Sequence, residues 1–128
     1  MGDVIDITDR LGRGNEKPEA VERPDGLAIR ELKEVYVTRN CEMQLRDFFD
    51  DKDDARDFVF DCMTRFIRND FGTLCQEDVE QNWRSIRDGG TVTGGYPFED
   101  EETDLKAWLM LDPDGQTLTI LMPEDYLA

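Results

Sequence analysis

Asp53 to Asn69 reads DDARDFVFDCMTRFIRN, and its spacing decides where the core must lie. Ala55, Phe58, Val59, Cys62, Met63, Phe66 and Ile67 recur at intervals of three and four, so a helix over this stretch gathers them on one broad apolar face. The acids Asp53, Asp54, Asp57 and Asp61 come early and the bases Arg65 and Arg68 late, which matches the helix dipole, and Asp61 and Arg65 stand one turn apart. Gly72 lies where a helix stop is expected.

Working towards the N-terminus, the acidic run Asp50 to Asp54, with Lys52 inside it, supplies a break and a cap for this helix. Asn40 is placed to cap an earlier helix running to Phe49, whose Met43, Leu45, Phe48 and Phe49 follow a helical stripe only roughly. Val35-Tyr36-Val37-Thr38 strings together β-branched and aromatic residues and predicts a short strand. Residues 1–26 contain four glycines, two prolines and mixed charge with no apolar period, which predicts a disordered N-terminal arm. Val4, Ile5, Ile7 and Leu11 in that arm form a small apolar cluster suited to docking.

Towards the C-terminus the period changes. Cys75, Val79, Trp83 and Ile86 predict a third helix over Gln76 to Asp88, acidic at its start and stopped by Gly89-Gly90. Three strand candidates follow, Thr91 to Phe98, Asp104 to Leu111 and Gln116 to Met122, with the tight-turn sequence Asp112-Pro113-Asp114-Gly115 between the last two. In the second strand Leu105, Ala107, Leu109 and Leu111 alternate with Lys106, Trp108 and Met110; in the third Leu118, Ile120 and Met122 alternate with Thr117, Thr119 and Leu121. Pro123 ends the last strand. The expected fold is therefore α+β, about three helices on a three- to four-stranded antiparallel sheet with a C-terminal β-hairpin, forming a single domain over residues 27–128.

A chain of 128 residues fits one core, and its formal net charge of −16 governs what its surface can meet. Acids outnumber bases by nine to seven over residues 1–39, by nine to five over 40–72 and by thirteen to three over 73–128. Such a surface repels nucleic-acid phosphate and anionic lipid and attracts basic proteins. No run approaches the ~20 apolar residues of a membrane helix, and residues 1–10 lack the form of a secretory signal. A cytoplasmic protein is expected, with Cys41, Cys62 and Cys75 reduced and partly buried.

The chain has no His, which removes the usual neutral-pH base, the Ser-His-Asp and Cys-His nucleophilic systems and most zinc sites. Asp50 to Asp61 lacks the glycine of a calcium loop, and Asp112-Pro113-Asp114-Gly115 places it fourth instead of sixth. Pro24-Asp25 with Glu31-Leu32-Lys33, and Asp104-Leu105-Lys106, echo a metal-nuclease signature without its two-strand context. Gly89-Gly90 and Gly94-Gly95 lack a phosphate-loop lysine and read as a helix stop and a strand bulge or turn. No catalytic residue, metal or cofactor is implied.

Asp70-Phe71-Gly72, Glu77-Asp78 with Asn82, Gly89-Gly90, Tyr96, Trp108 and Pro123-Glu124-Asp125-Tyr126 follow one another in an order that resembles a family of small phage- and plasmid-borne proteins of unestablished activity. That family's pattern runs from a Gly-Asp-Trp-Gly turn to a closing Pro-Glu-x-Tyr, and the likeness covers about half the chain. Phe71 stands in place of the Trp, Thr91 where Arg is common, and Asp114-Gly115-Gln116 where Asp-Arg-Ser usually precedes the last strand. The resemblance implies a mobile-element origin and the same helix-then-hairpin core.

These observations lead to a non-catalytic acidic protein of phage or plasmid origin that binds a basic protein surface, as a DNA-mimic inhibitor of a host nucleic-acid-binding or defence protein of the anti-restriction or anti-CRISPR kind would, without direct nucleic-acid or membrane contact. Asp47, Asp50, Asp51, Asp53, Asp54 and Asp57 in one run, and Glu99, Asp100, Glu101, Glu102 and Asp104 in another, are the candidate acidic face. The alternative is a structural or regulatory module that joins partners through Tyr96, Phe98 and Trp108 as apolar anchors. A carboxylate-and-metal hydrolase ranks last.

Overall fold

The computed structural model describes residues 32–99 and 104–127; the expected N-terminal arm over 1–26, with its Val4, Ile5, Ile7 and Leu11 cluster, and the nuclease-like Pro24, Asp25 and Glu31 lie outside the described residues. The elements are β1 (Glu34–Val37), α1 (Arg39–Phe49), α2 (Lys52–Ile67), α3 (Gln76–Asp88), β2 (Val92–Pro97), β3 (Lys106–Leu111), β4 (Thr117–Leu121) and α4 (Pro123–Leu127). The class is α+β.

The strands form one sheet in the order β1-β4-β3-β2. It is mixed, a correction to the antiparallel expectation: β2–β3 and β3–β4 are antiparallel, but β1 lies parallel to β4, with Glu34 opposite Thr117 and Val37 opposite Ile120. Alternation assigns faces and carries no direction. Here the direction follows from what comes next, because the parallel register brings Thr38 beside α4, where its hydroxyl donates to Asp125 at 2.6 Å. The C-terminal element is likewise not a strand but α4. Pro123 opens it, Glu124 and Asp125 occupy its first turn, and the Asp125 carboxylate accepts the Met122 N–H at 2.9 Å while the Asp125 N–H returns to the Met122 carbonyl at 2.9 Å.

Register divides the sheet into two faces. Val92, Tyr96, Ala107, Leu109, Leu111, Leu118 and Ile120 face the core and are buried, joined by Cys41 and Leu45 of α1, Cys62 and Phe66 of α2, Phe71, and Ile86 of α3. The opposite face carries Tyr36, Thr119, Leu121, Trp108, Met110 and Thr93. Of these only Leu121 is buried.

The helix ends refine the sequence boundaries. Thr38, not Asn40, caps α1: in extended conformation its hydroxyl accepts the Cys41 N–H at 3.2 Å, and Asn40, one residue inside the helix, points its amide at Glu124 and Asp125. Asp51 caps α2 by accepting the N–H groups of Asp53 at 2.7 Å and Asp54 at 3.4 Å. That helix stops at Ile67, with Asn69 in the left-handed region at φ 62°, so Gly72 is not needed as its stop.

Gly72 serves a packing role instead. A Cβ there would lie 1.9 Å from the Gly95 carbonyl oxygen, and its φ of +76° is a further bar to other residues. The close approach lets the Gly95 N–H donate to the Phe71 carbonyl at 3.1 Å and its carbonyl accept the Thr73 N–H at 2.9 Å. Gly94 and Gly95 therefore sit in regular register inside β2, opposite Leu109 and Trp108, and not in the bulge or turn expected of them. Beside them Tyr96 is fully buried and donates to the Asp70 carbonyl at 2.7 Å.

Candidate functional site

Four phenylalanines decide where the acidic runs lie. Phe48 and Phe49 end α1, Phe58 sits in the second turn of α2, and Phe98 follows β2. The Phe98 ring lies 5.3 Å from Phe48, 5.9 Å from Phe49 and 5.3 Å from Phe58, and Phe49 and Phe58 are 5.3 Å apart. Edge-on and tilted contacts at these separations are favourable aromatic packing. Their effect is to fasten the end of β2 to the α1–α2 corner. The Phe98 N–H also donates to the Leu105 carbonyl at 2.8 Å, which pins both ends of the 99–104 connection to the same place.

Glu99 and Asp104, next to Phe98 and Leu105, are thus held near the α1–α2 corner and its acids. Asp47, Asp50, Asp51, Asp53, Asp54 and Asp57 at the helix corner, and Glu99 and Asp104 at the connection, are all exposed. Asp100, Glu101 and Glu102 lie outside the described residues. The corner acids ride on helix backbone: Asp50 is the left-handed C-cap of α1 at φ 52°, its N–H donating to Arg46, and Asp51, Asp53 and Asp54 build the start of α2. The Asp51 side chain is occupied by capping, and Asp53 and Asp57 stand 3.5 Å and 4.0 Å from Arg56. Among the described residues Asp47, Asp54, Glu99 and Asp104 have no side-chain partner, which leaves their carboxylates to solvent or to another molecule.

The cations of this layer are interleaved with the acids, Lys52 between Asp51 and Asp53 and Arg56 beside Asp53 and Asp57. Arg46, Lys52 and Arg56 rim a groove of about 320 Å³ whose apolar wall is Val37, Leu45, Ala55 and Val59.

The expected apolar anchors separate into core and surface. Tyr96 at 0% and Phe98 at 4% exposure are core side chains, a correction to their reading as anchors: the register turns Tyr96 onto the helix-facing side of the sheet, and the phenylalanine cluster encloses Phe98. Only Trp108 reaches the surface. It lies on the sheet face away from α1 and α2, 6.0 Å from the ring of Tyr126. With Leu74, Met110 and the α3 residues Asp78, Gln81 and Asn82, these two rings line a groove of about 370 Å³. Asn82 closes its floor, donating to the Thr93 carbonyl at 2.7 Å and accepting the Thr93 N–H at 3.0 Å.

Sequence reasoning missed Tyr126 as the companion of Trp108, and Glu124 and Asp125 as a clamp. Glu124 accepts from Gln44 at 2.6 Å and Asn40 at 3.1 Å, and Asp125 accepts from Thr38 and Asn40. These hydrogen bonds, led by Gln44 for Glu124 and Thr38 for Asp125, hold both carboxyls below the usual carboxylate range. The Pro123-Glu124-Asp125-Tyr126 tetrad was visible in the sequence as a unit, but not what it grips.

The remaining reactive groups are muted. Burial pushes the Cys41 and Cys62 thiols up to about 12, so both are protonated at neutral pH, while Cys75 is exposed rather than partly buried because it precedes α3 on the surface. Burial also raises the Tyr96 phenol. Among the described residues no three Cys, Asp or Glu side chains converge as metal ligands, and no helix is long and apolar enough to cross a membrane.

Comparison of the chain with protein-family models, with curated proteins and with solved structures finds no match.

Proposed function

We propose that this chain is a non-catalytic acidic interaction protein that occupies a basic, nucleic-acid-binding surface on another protein, acting in the cytoplasm as a DNA-mimicking inhibitor of the anti-restriction or anti-CRISPR kind. The observation that supports the reading is the Phe98 packing, which holds Glu99 and Asp104, at the ends of the 99–104 connection, near the α1–α2 corner and its exposed acids. Duplex DNA presents a charge about every 1.7 Å of axis, and a surface built to receive it answers to carboxylates fixed on helix backbone. The resemblance of Asp70-Phe71-Gly72, Asn82, Trp108 and Pro123 to Tyr126 to phage- and plasmid-borne proteins fits a host-directed role, and the unpaired thiols suit a reducing compartment.

The test is capture from a host lysate at low and high salt, with the Asp47→Asn, Asp50→Asn and Asp54→Asn triple variant alongside. A partner held by the acidic corner is lost from the triple variant, is released as salt shortens the screening length below about 10 Å, and is displaced by added duplex DNA. Partners retained through all three treatments refute the reading.

A second reading, a module that joins partners through apolar contact, is favoured by one observation: the sheet face away from α1 and α2 leaves Tyr36 52% and Tyr126 59% exposed beside Trp108 and Met110. Binding by that face alone would survive high salt.

A further inference from the structure

The groove between α3, the outer sheet face and α4 holds a combination that neither acidity nor apolar exposure accounts for. Its aromatic wall is Trp108, partly buried, with Tyr126 inclined at 54° to it. Leu74 and Met110 supply the apolar remainder, and Asp78 and Gln81, from the first two turns of α3, also line it. Asp78 is the one ionisable carboxylate lining the groove, and no cation lines it.

The polar groups in it divide sharply. Asn82 and Thr93 satisfy each other. Among the described residues the Asp78 carboxylate, the Gln81 amide and the Trp108 indole N–H have no partner. Asp53, Asp70 and Asp88 each have an arginine within 3.5 Å, whereas Asp78, like Asp47 and Asp54, has none among the described residues. An unpaired carboxylate lining the same groove as a tryptophan, a tyrosine and apolar side chains is complementary to a flat cation. The ring faces attract its charge, Leu74 and Met110 take its alkyl stem, and the carboxylate and amide oxygens accept its N–H groups.

From this juxtaposition we infer that the groove is a binding site for an arginine side chain presented by a basic protein partner. The inference rests on the proposed function and deepens it, adding a specific contact to the acidic corner. Guanidinium fits better than ammonium, because its plane stacks on the indole while its edge donors reach Asp78 and Gln81. The acidic corner supplies long-range attraction and the groove a fixed point of registration, a division of labour usual where charge steers and an aromatic anchor holds.

The experiment titrates the full chain with nona-arginine, with its neutral citrulline counterpart and with nona-lysine, following the Trp108 indole N–H by NMR, assigned through Trp83→Phe. Nona-arginine is expected to shift the Trp108 signal, citrulline to leave it in place, and nona-lysine to bind more weakly. Trp108→Leu and, independently, the surface change Asp78→Asn should each weaken nona-arginine binding about tenfold or more; Asp78→Asn keeps the test valid if Trp108→Leu unfolds. If nona-arginine binds with the Trp108 signal and both variants unaffected, the groove assignment is overturned while the acidic corner stands. A shift produced equally by the citrulline peptide or by nona-lysine also overturns it. No binding of nona-arginine at low salt overturns both readings together.

Discussion

The two edges of the sheet are finished in opposite ways. At β2, Asn82 inserts its amide against Thr93 as a neighbouring strand would, and the 71–73 turn does the same for Gly95, so the outer edge is capped by side chain and turn. At β1, no described strand lies beyond the edge, and Val35, Tyr36 and Val37 are 42%, 52% and 42% exposed. Exposed edges invite pairing with other chains unless blunted, and the two ends of one sheet here differ in that respect. Cohesion is concentrated at the β2 edge, where a few residues have no substitute. The β1 edge carries little of it, and its sequence is correspondingly free to serve the surface.

That contrast is broken most severely by Gly72→Ala. The added carbon meets the Gly95 carbonyl at 1.9 Å and must adopt φ near +76°, so a loss of about 3 kcal/mol or more is expected by urea unfolding. Asn82→Ala removes one capping group without a clash and leaves the Thr93 N–H and carbonyl unpaired, at a cost of about 2 kcal/mol in the same assay. An Asn82→Ala chain as stable as the parent would mean that the edge is held by α3 packing alone.

At the other edge the corresponding tie is a carboxylate. Asp125 accepts from Thr38, just beyond β1, and from the Met122 N–H, and its pKa lies below the ordinary carboxylate value in the folded chain. Its contribution is therefore present above the unfolded-state value near 3.9 and is lost as pH falls through the lower folded value. Asp125→Asn should flatten the acid limb of the stability curve, and NMR titration of the Asp125 carboxyl should give a midpoint below that of an exposed aspartate. The smallest effect belongs to Tyr36→Thr, which should change stability by no more than about 0.5 kcal/mol while leaving the circular dichroism spectrum intact. A larger loss would show that the β1 edge is structural after all.

Much of this was legible beforehand, and the limits are physical. The α2 and α3 stripes and the alternation at 106–111 and 117–121 are local periodic signals, and they position most of the core. The parallel partner of β1 is not a local property, because it is chosen by which edge of β4 remains free some eighty residues later. Phe98 and Tyr96 looked like surface anchors because aromatic residues near a strand end belong equally well to either face until register is known. Asp47 to Asp57, Glu99 and Asp104 were named from the sequence, but the nearness of Glu99 to the helix corner depends on Phe98 meeting Phe48 and Phe58, a contact that no spacing announces. Asp78 and Tyr126 escaped notice because neither carries a pattern on its own.

The parallel pairing of β1 with β4 also sets a timetable. Glu34 to Val37 leave the ribosome some eighty residues before Thr117 to Ile120, the residues they pair with. At about 5–20 residues per second the first strand waits for several seconds with its partner not yet synthesised. The sheet is completed only once β4 has been translated, so a nascent chain stalled before Thr117 would carry α1, α2 and α3 beside an unmatched β1, a natural substrate for chaperones.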